Sequence, residues 1–219
     1  PLLETNRGCP FRCTFCGWGA AAKNKITRFS IDTVLKEISY VGKIAKGARN
    51  WIICDANFGM LPRDIEIAKE IRKVKDETGY PYKCHLWLAK NVTERNFQVA
   101  DILSEMIVPV MAVQSLDDEV LKIIKRDNIS TETYIEYNEK FKKIGTETFS
   151  ELIVPLPGET LETHKNSLKS LFNYGCDIIF SHNLRMLAGT EVNSDKTRET
   201  YQFRTRYRLI HGDAGMYKS

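Results

Sequence analysis

Leu2-Leu-Glu-Thr-Asn-Arg-Gly-Cys9-Pro-Phe-Arg-Cys13-Thr-Phe-Cys16 decides how the rest of the chain is read: a short apolar run passes straight into three cysteines. Leu2–Glu4 reads as a first strand with the cysteine loop at its end. Outward from there, helix and strand patterns alternate. Ser30 can cap a helix whose apolar positions Ile31, Val34, Leu35, Ile38 and Val41 fall three and four apart. Trp51–Cys54 is an apolar run closed by Asp55, as a buried strand requires. Pro62 suits the first turn of a helix carrying Ile67, Ala68, Ile71 and Val74, with Gly79 as its stop. Cys84–Leu88 reads as the next strand, followed by a helix capped by Thr93 through Phe97, Ala100 and Leu103. Val108–Val113 is strand-like, and Asp117 caps a helix with Val120, Leu121 and Ile124. A further helix through Tyr134, Asn138, Phe141 and Ile144 stops at Gly145. Then come Thr148–Val154 (strand), Thr160–Tyr174 (helix, stopped by Gly175) and Asp177–Phe180, which opens a last strand.

Six strand-like runs interleaved with helices imply right-handed βαβ units and a parallel sheet. The class is α/β, either a partly closed barrel or a doubly wound sheet, and periodicity does not separate them. In both, chemistry sits beyond the carboxyl ends of the strands. The cysteine loop lies there, as do Asp55–Gly59, Lys90-Asn91, Gln114-Ser115 and Pro155–Glu159. From Gly189 onward the pattern weakens, with Tyr201, Phe203, Tyr207 and Leu209 as anchors. We therefore divide the chain into a core, 1–190, and an extension, 191–219.

The chain has 219 residues, 42% hydrophobic and 27% charged, enough to bury a core without disulfides. No stretch approaches the ~18 apolar residues of a membrane span, and no signal peptide is visible. Membrane proteins, disordered chains and disulfide miniproteins are excluded. Pro1 in place of Met is expected to mark a processed or excised start. The +4 net charge is spread along the chain and gives nucleic acid no support. Arg204, Arg206, Arg208 and Lys218 read as a solvated basic tail.

Six cysteines could suggest a secreted disulfide framework, but the spacing opposes it. Cys54, Cys84 and Cys176 stand singly in apolar runs and read as core thiols. Cys9, Cys13 and Cys16 crowd one loop, and three thiolates so close need metal in a reducing compartment. A structural zinc site wants four ligands in paired knuckles; no second pair follows, and His85, His164, His182 and His211 are scattered. Iron–sulfur clusters are the other thiolate host. Three cysteines on a four-iron cluster leave one iron open for chemistry.

The CxxxCxxC spacing, with Phe15 before the third cysteine, resembles the radical S-adenosylmethionine (radical SAM) superfamily. Glu4-Thr-Asn-Arg-Gly-Cys-Pro-Phe, Asp55-Ala-Asn-Phe-Gly, Lys90-Asn91, Gln114-Ser115, Lys125-Arg126-Asp-Asn and Leu156-Pro-Gly-Glu159 follow in the order of its cobalamin-binding-domain branch, many of them methyltransferases. The likeness spans roughly residues 2–190. It implies a partial (β/α)6 TIM-like barrel of parallel strands. Cys9, Cys13 and Cys16 would hold a [4Fe–4S] cluster, and S-adenosylmethionine (SAM) would chelate its open iron. Reductive cleavage would yield a 5′-deoxyadenosyl radical that takes hydrogen from an unactivated carbon. Cobalamin would be bound mainly by a domain absent from this chain.

By the same resemblance, Asp55 and Asn57 replace the Gly-Gly-Glu that relatives place against the SAM amino group. Gln114 and Ser115 would meet the ribose, Arg126 the carboxylate, and Leu156 lies in the loop bordering adenine. Glu151, within an apolar strand, needs a partner or a wet lumen. Asp55 as a plain turn cap and Arg126 as an exposed salt bridge remain open. Trp18 would shield the cluster or fill core, and Lys90, His182 and Asn183 would face substrate or, on the preferred reading, be bland. The expected enzyme is a cytoplasmic C-methyltransferase acting on a small molecule or peptide, reduced by a donor such as flavodoxin or ferredoxin. The alternatives are a cobalamin-independent cyclase, methylthiotransferase or mutase and, from another class, a non-catalytic metal-binding module.

Overall fold

Trp51 and Ile53 alternate with less buried neighbours, and that two-residue period organises the first sheet around one central strand. The computed structural model describes residues 1–19, 25–91 and 94–206. Strand β1 (Leu2–Leu3) enters the cysteine loop, which is bracketed by a short antiparallel pair, β2 (Asn6–Arg7) and β3 (Thr27–Arg28). Strand β4 (Asn50–Ile53) lies between β1 and β5 (Lys83–His85), parallel to both. Trp51 faces Cys84, and Leu3 faces Ile53. The second sheet pairs β6 (Phe149–Val154) with β7 (Ile178–Asn183), also parallel, in register from Phe149–Ile178 to Val154–Asn183.

Helices α1 (Ile31–Ile44), α2 (Asp64–Thr78) and α3 (Glu94–Leu103) pack in succession, and α3 meets α5 (Thr131–Lys143), after the short α4 (Asp118–Ile123). Helix α6 (Leu161–Asn173) precedes β7, and α7 (Asp195–Thr200) follows it. Trp51, Ile53, Phe58, Ile67, Ile71 and Leu103 are fully enclosed. Each such side chain contributes about 1.5–3 kcal/mol by leaving water. Among the described residues no helix is long and apolar enough to cross a membrane. Parallel strands with helical connections make the partial-barrel α/β core expected from the sequence.

Several local expectations hold. Gly79 ends α2 with φ 78, a left-handed cap that favours glycine. The side chains of Asp117 and Thr160 cap α4 and α6. Others change. Among the described residues the Val108–Val113 run makes one isolated bridge to β6, Val110 to Phe149, and Gln114 just after it makes another, to Leu152. Pro109 carries no N–H for a ladder, and Gln114 turns the chain at φ 67. Ser30 occupies the α1 N-cap and its carbonyl accepts the Val34 N–H, but its side chain makes no capping hydrogen bond among the described residues, and α2 starts at Asp64, past Pro62. The last strand runs on to Asn183, so His182 and Asn183 belong to it. Thr93 and the tail residues Tyr207, Arg208, Leu209 and Lys218 fall outside the described residues.

Candidate functional site

The cysteine loop is tied down along its whole length. At its entrance the Asp55 carboxylate, from the end of β4, accepts the Thr5 N–H at 2.7 Å and the Asn6 Nδ2 at 2.6 Å. It also accepts the Thr5 hydroxyl and, at 3.3 Å, the Asn6 N–H. Burial raises Asp55 above its ordinary value, and the bonds from Thr5 and Asn6 oppose that shift. In mid-loop the Thr14 N–H donates to the Ile124 carbonyl at 3.0 Å, and the Thr14 carbonyl accepts from Val192 at 3.0 Å. Beneath it, Phe15 packs on a small cluster of Val120, Ile124 and Leu156.

Cys9 and Cys13 are buried and Cys16 is half-buried. Asn57 Nδ2 donates to Cys9 Sγ at 3.1 Å, and Lys90 Nζ approaches Cys13 Sγ at 3.6 Å. Arg126 is buried; its Nε donates to the Val113 carbonyl and to Asn128 Oδ1, and its Nη2 to the Ala112 carbonyl. Nη1 has no hydrogen-bond partner among the described residues. Burial lowers this guanidinium from its usual value, while Cys13, Cys16 and Cys9 act in the opposite direction, Cys13 most strongly. Asn57 Oδ1 is likewise buried and unpartnered.

Two cavities flank the loop, with Cys16 and Trp18 in the wall of both. One, of about 400 Å³, is lined by Cys9, Cys54, Asp55, Trp87 and Lys90. The other, of about 540 Å³, is lined by Gln114, Glu151, His182 and Asn183. There His182 Nε2 lies 3.1 Å from Glu151 Oε1, so Glu151 has the partner that its place in an apolar strand demanded.

The structure therefore brings Cys9, Cys13, Cys16, Asn57 and Arg126 together, with Gln114 and Glu151 across the second cavity. Asp55 touches the first cavity but commits its oxygens to Thr5 and Asn6. Ser115 is fully buried; its hydroxyl accepts the Asp117 N–H, and its carbonyl accepts Asn128 Nδ2. Leu156 is enclosed in the cluster under the loop. Cys54 corrects the core-thiol expectation: it is half-buried and lines a cavity, whereas Cys84 and Cys176 are buried. Lys90, read as bland, reaches a thiol; its place directly after an apolar strand run was the available signal.

The donor set fits an iron–sulfur cluster. Three thiols on one loop have an amide donor, an ammonium and a buried guanidinium around them, as a polyanionic group requires. Among the described residues, no group of three or more His, Cys, Asp or Glu side chains is arranged around a single metal ion.

The family model "Radical SAM superfamily" matches residues 3–171. The cobalamin-dependent radical SAM methyltransferase TokK of Streptomyces tokunonensis is 32% identical over 208 residues, covering 93% of this chain and 30% of that protein. The 2-(S-pantetheinyl)-carbapenam-3-carboxylate methyltransferase of Streptantibioticus cattleyicolor is 31% identical over the same shares. The chain thus spans less than a third of the length of these relatives. Among solved structures, the radical SAM methyltransferase TsrM from Kitasatospora setae, with tryptophan and a SAM analogue bound, superposes with a TM-score of 0.73 at 16% identity. That likeness covers 94% of this chain and 40% of TsrM, and it is a likeness of fold.

Proposed function

This chain belongs to the radical SAM superfamily, and from that premise we propose that it is the core of a cobalamin-dependent C-methyltransferase. One observation carries the reading: a pinned loop holds Cys9 and Cys13 buried while Cys16 borders two cavities. Cys9, Cys13 and Cys16 would hold a [4Fe–4S] cluster. When bound, the cluster with SAM supplies a 5′-deoxyadenosyl radical able to abstract hydrogen from an unactivated carbon.

The chain's own residues position and shield. Asp55 holds the loop entrance against β4 instead of meeting ligand. Asn57 and Lys90 place an N–H and an ammonium against the sulfurs of Cys9 and Cys13, partners that suit cluster ligands. Arg126, anchored by backbone carbonyls on one edge, offers Nη1 to an anionic group. Trp18 and Trp87 give the first cavity part of its apolar wall, and Gln114 with the Glu151–His182 pair supplies polar contacts in the second.

The two named relatives support methyl transfer with cobalamin as methyl source. Cobalamin we place outside this chain, and residues 1–190 we take as the core and 191–219 as its extension. The test is anaerobic reconstitution of the whole protein with iron and sulfide, then SAM and a reductant, with and without methylcobalamin. We expect cubane absorption and 5′-deoxyadenosine in both, and methylated product only with methylcobalamin. Absence of the cluster signal sinks the family chemistry in this protein; a methylcobalamin-independent product sinks the methyl-transfer reading alone.

A further inference from the structure

A third cavity, of about 510 Å³, lies beside the second and shares Leu184 and Arg185 with it. Four arginines line it: Arg185, Arg198, Arg204 and Arg206. No Asp or Glu lines it, and no ion pair to any of the four exists among the described residues. Guanidinium groups stay charged at any physiological pH, so four of them around one space favour an anion there. Arg204 and Arg206, which read as a solvated tail in sequence, are brought by the fold against Arg185 and Arg198.

Arg198 is already oriented. Its Nε and Nη2 donate to Asn193 Oδ1 at 3.0 and 2.7 Å, and its Nη1 donates to Thr205 Oγ1 at 2.8 Å. Among the described residues each terminal nitrogen makes one hydrogen bond, which leaves each a further N–H to offer an anion. Holding the fork in advance lowers the ordering cost of binding.

We propose that this cavity is an oxyanion subsite for a carboxylate or phosphate group at the charged end of the substrate, whose reacting carbon occupies the adjoining cavity near Cys16. The proposal rests on the reading of Cys9, Cys13 and Cys16 as holding the cluster, with Cys16 in the wall of that adjoining cavity. The shared wall, Leu184 and Arg185, lets one extended molecule occupy both spaces. Arg198 is a positioning residue here, acting on the substrate's charged end.

Calorimetric titration of the cluster-loaded protein with inorganic phosphate, and separately with acetate, tests this at fixed ionic strength in chloride. We expect saturable binding of at least one anion, and the tighter of the two identifies the oxyanion. Arg198→Gln should weaken it roughly tenfold or more, the size of a lost charge-assisted hydrogen bond. Because Arg198 also braces Asn193 and Thr205, the exposed pair Arg185→Gln/Arg204→Gln is the second probe, with a loss of at least the same size. Failure of both anions to bind, or undiminished binding in the double variant, overturns the subsite. Release of 5′-deoxyadenosine from SAM alone reports the core reading separately. A protein that releases it but binds neither anion loses only the subsite, and one that binds phosphate without releasing it keeps the subsite and loses the core reading.

Discussion

Strands β4 and β7 carry similar apolar runs, Trp51-Ile-Ile53 and Ile178-Ile-Phe180, yet the fold treats them in opposite ways. β4 sits between two parallel neighbours, with Trp51 and Ile53 wholly enclosed. Among the described residues β7 has one partner strand, and Ile178 and Phe180 remain 39% and 50% exposed. An apolar run thus identifies a strand without saying what covers it. The difference also sorts function: the enclosed side anchors the cysteine loop through Asp55, and the open side presents His182 and Asn183 to a cavity.

If the enclosed side carries the chemistry, the largest effect follows from the loop it anchors. Cys13→Ala should abolish cluster absorption and reduce 5′-deoxyadenosine to background while the far-ultraviolet circular dichroism stays unchanged. Retained absorption would show that another group completes the ligand set. The strand contrast itself is tested by truncating one aromatic on each side. Trp51→Ala should cost about 3–5 kcal/mol in denaturant unfolding, and Phe180→Ala less than about 1 kcal/mol. Equal losses would mean that β7 is covered in the folded protein.

Asp64, at the start of α2 on the enclosed side, sharpens the contrast through pH. Burial raises its carboxyl from 3.8 to about 6, against hydrogen bonds from the Gly59 and Leu61 N–H groups. The folded state binds this proton more tightly than the unfolded chain does. Its contribution therefore favours folding at about pH 4 and is lost as pH rises to about 6, by at most about 3 kcal/mol. Asp64→Asn should flatten that part of the stability profile, measured by denaturant titration from pH 4 to 7; an unchanged slope would assign it to other groups. The smallest effect on catalysis is at Lys90. Lys90→Met should slow SAM cleavage roughly tenfold at unchanged iron content, as expected for loss of a group that contacts a metal ligand. A rate equal to wild type would make its approach to Cys13 incidental.

The order of elements was legible because each signal is local: Gly79 and Asp117 act through their own backbone neighbourhood, and the apolar periods of α1 and β4 are strong. The β2–β3 pair was not legible, since two-residue strands leave no period to detect. Val108–Val113 was over-read because its composition resembles a strand, although Pro109 removes a donor and Gln114 takes a left-handed φ of 67. At the site, the three cysteines stand out by spacing alone. Thr5 and Asn6 as partners of Asp55, and Lys90 as a neighbour of Cys13, arise from contacts 50, 49 and 77 residues apart in the chain. No one-dimensional pattern contains such contacts.

The bond from Val192 to the Thr14 carbonyl, with the Lys125–Glu191 pair beside it at 2.6 Å, clasps the middle of the cysteine loop from the far end of the chain. Whoever trims this protein for expression inherits a constraint: a product ending at Gly189 keeps every cysteine but drops the latch on the residue between Cys13 and Phe15. Such a shortened protein should assemble its iron sluggishly and shed it early, although nothing in its ligand set has been altered.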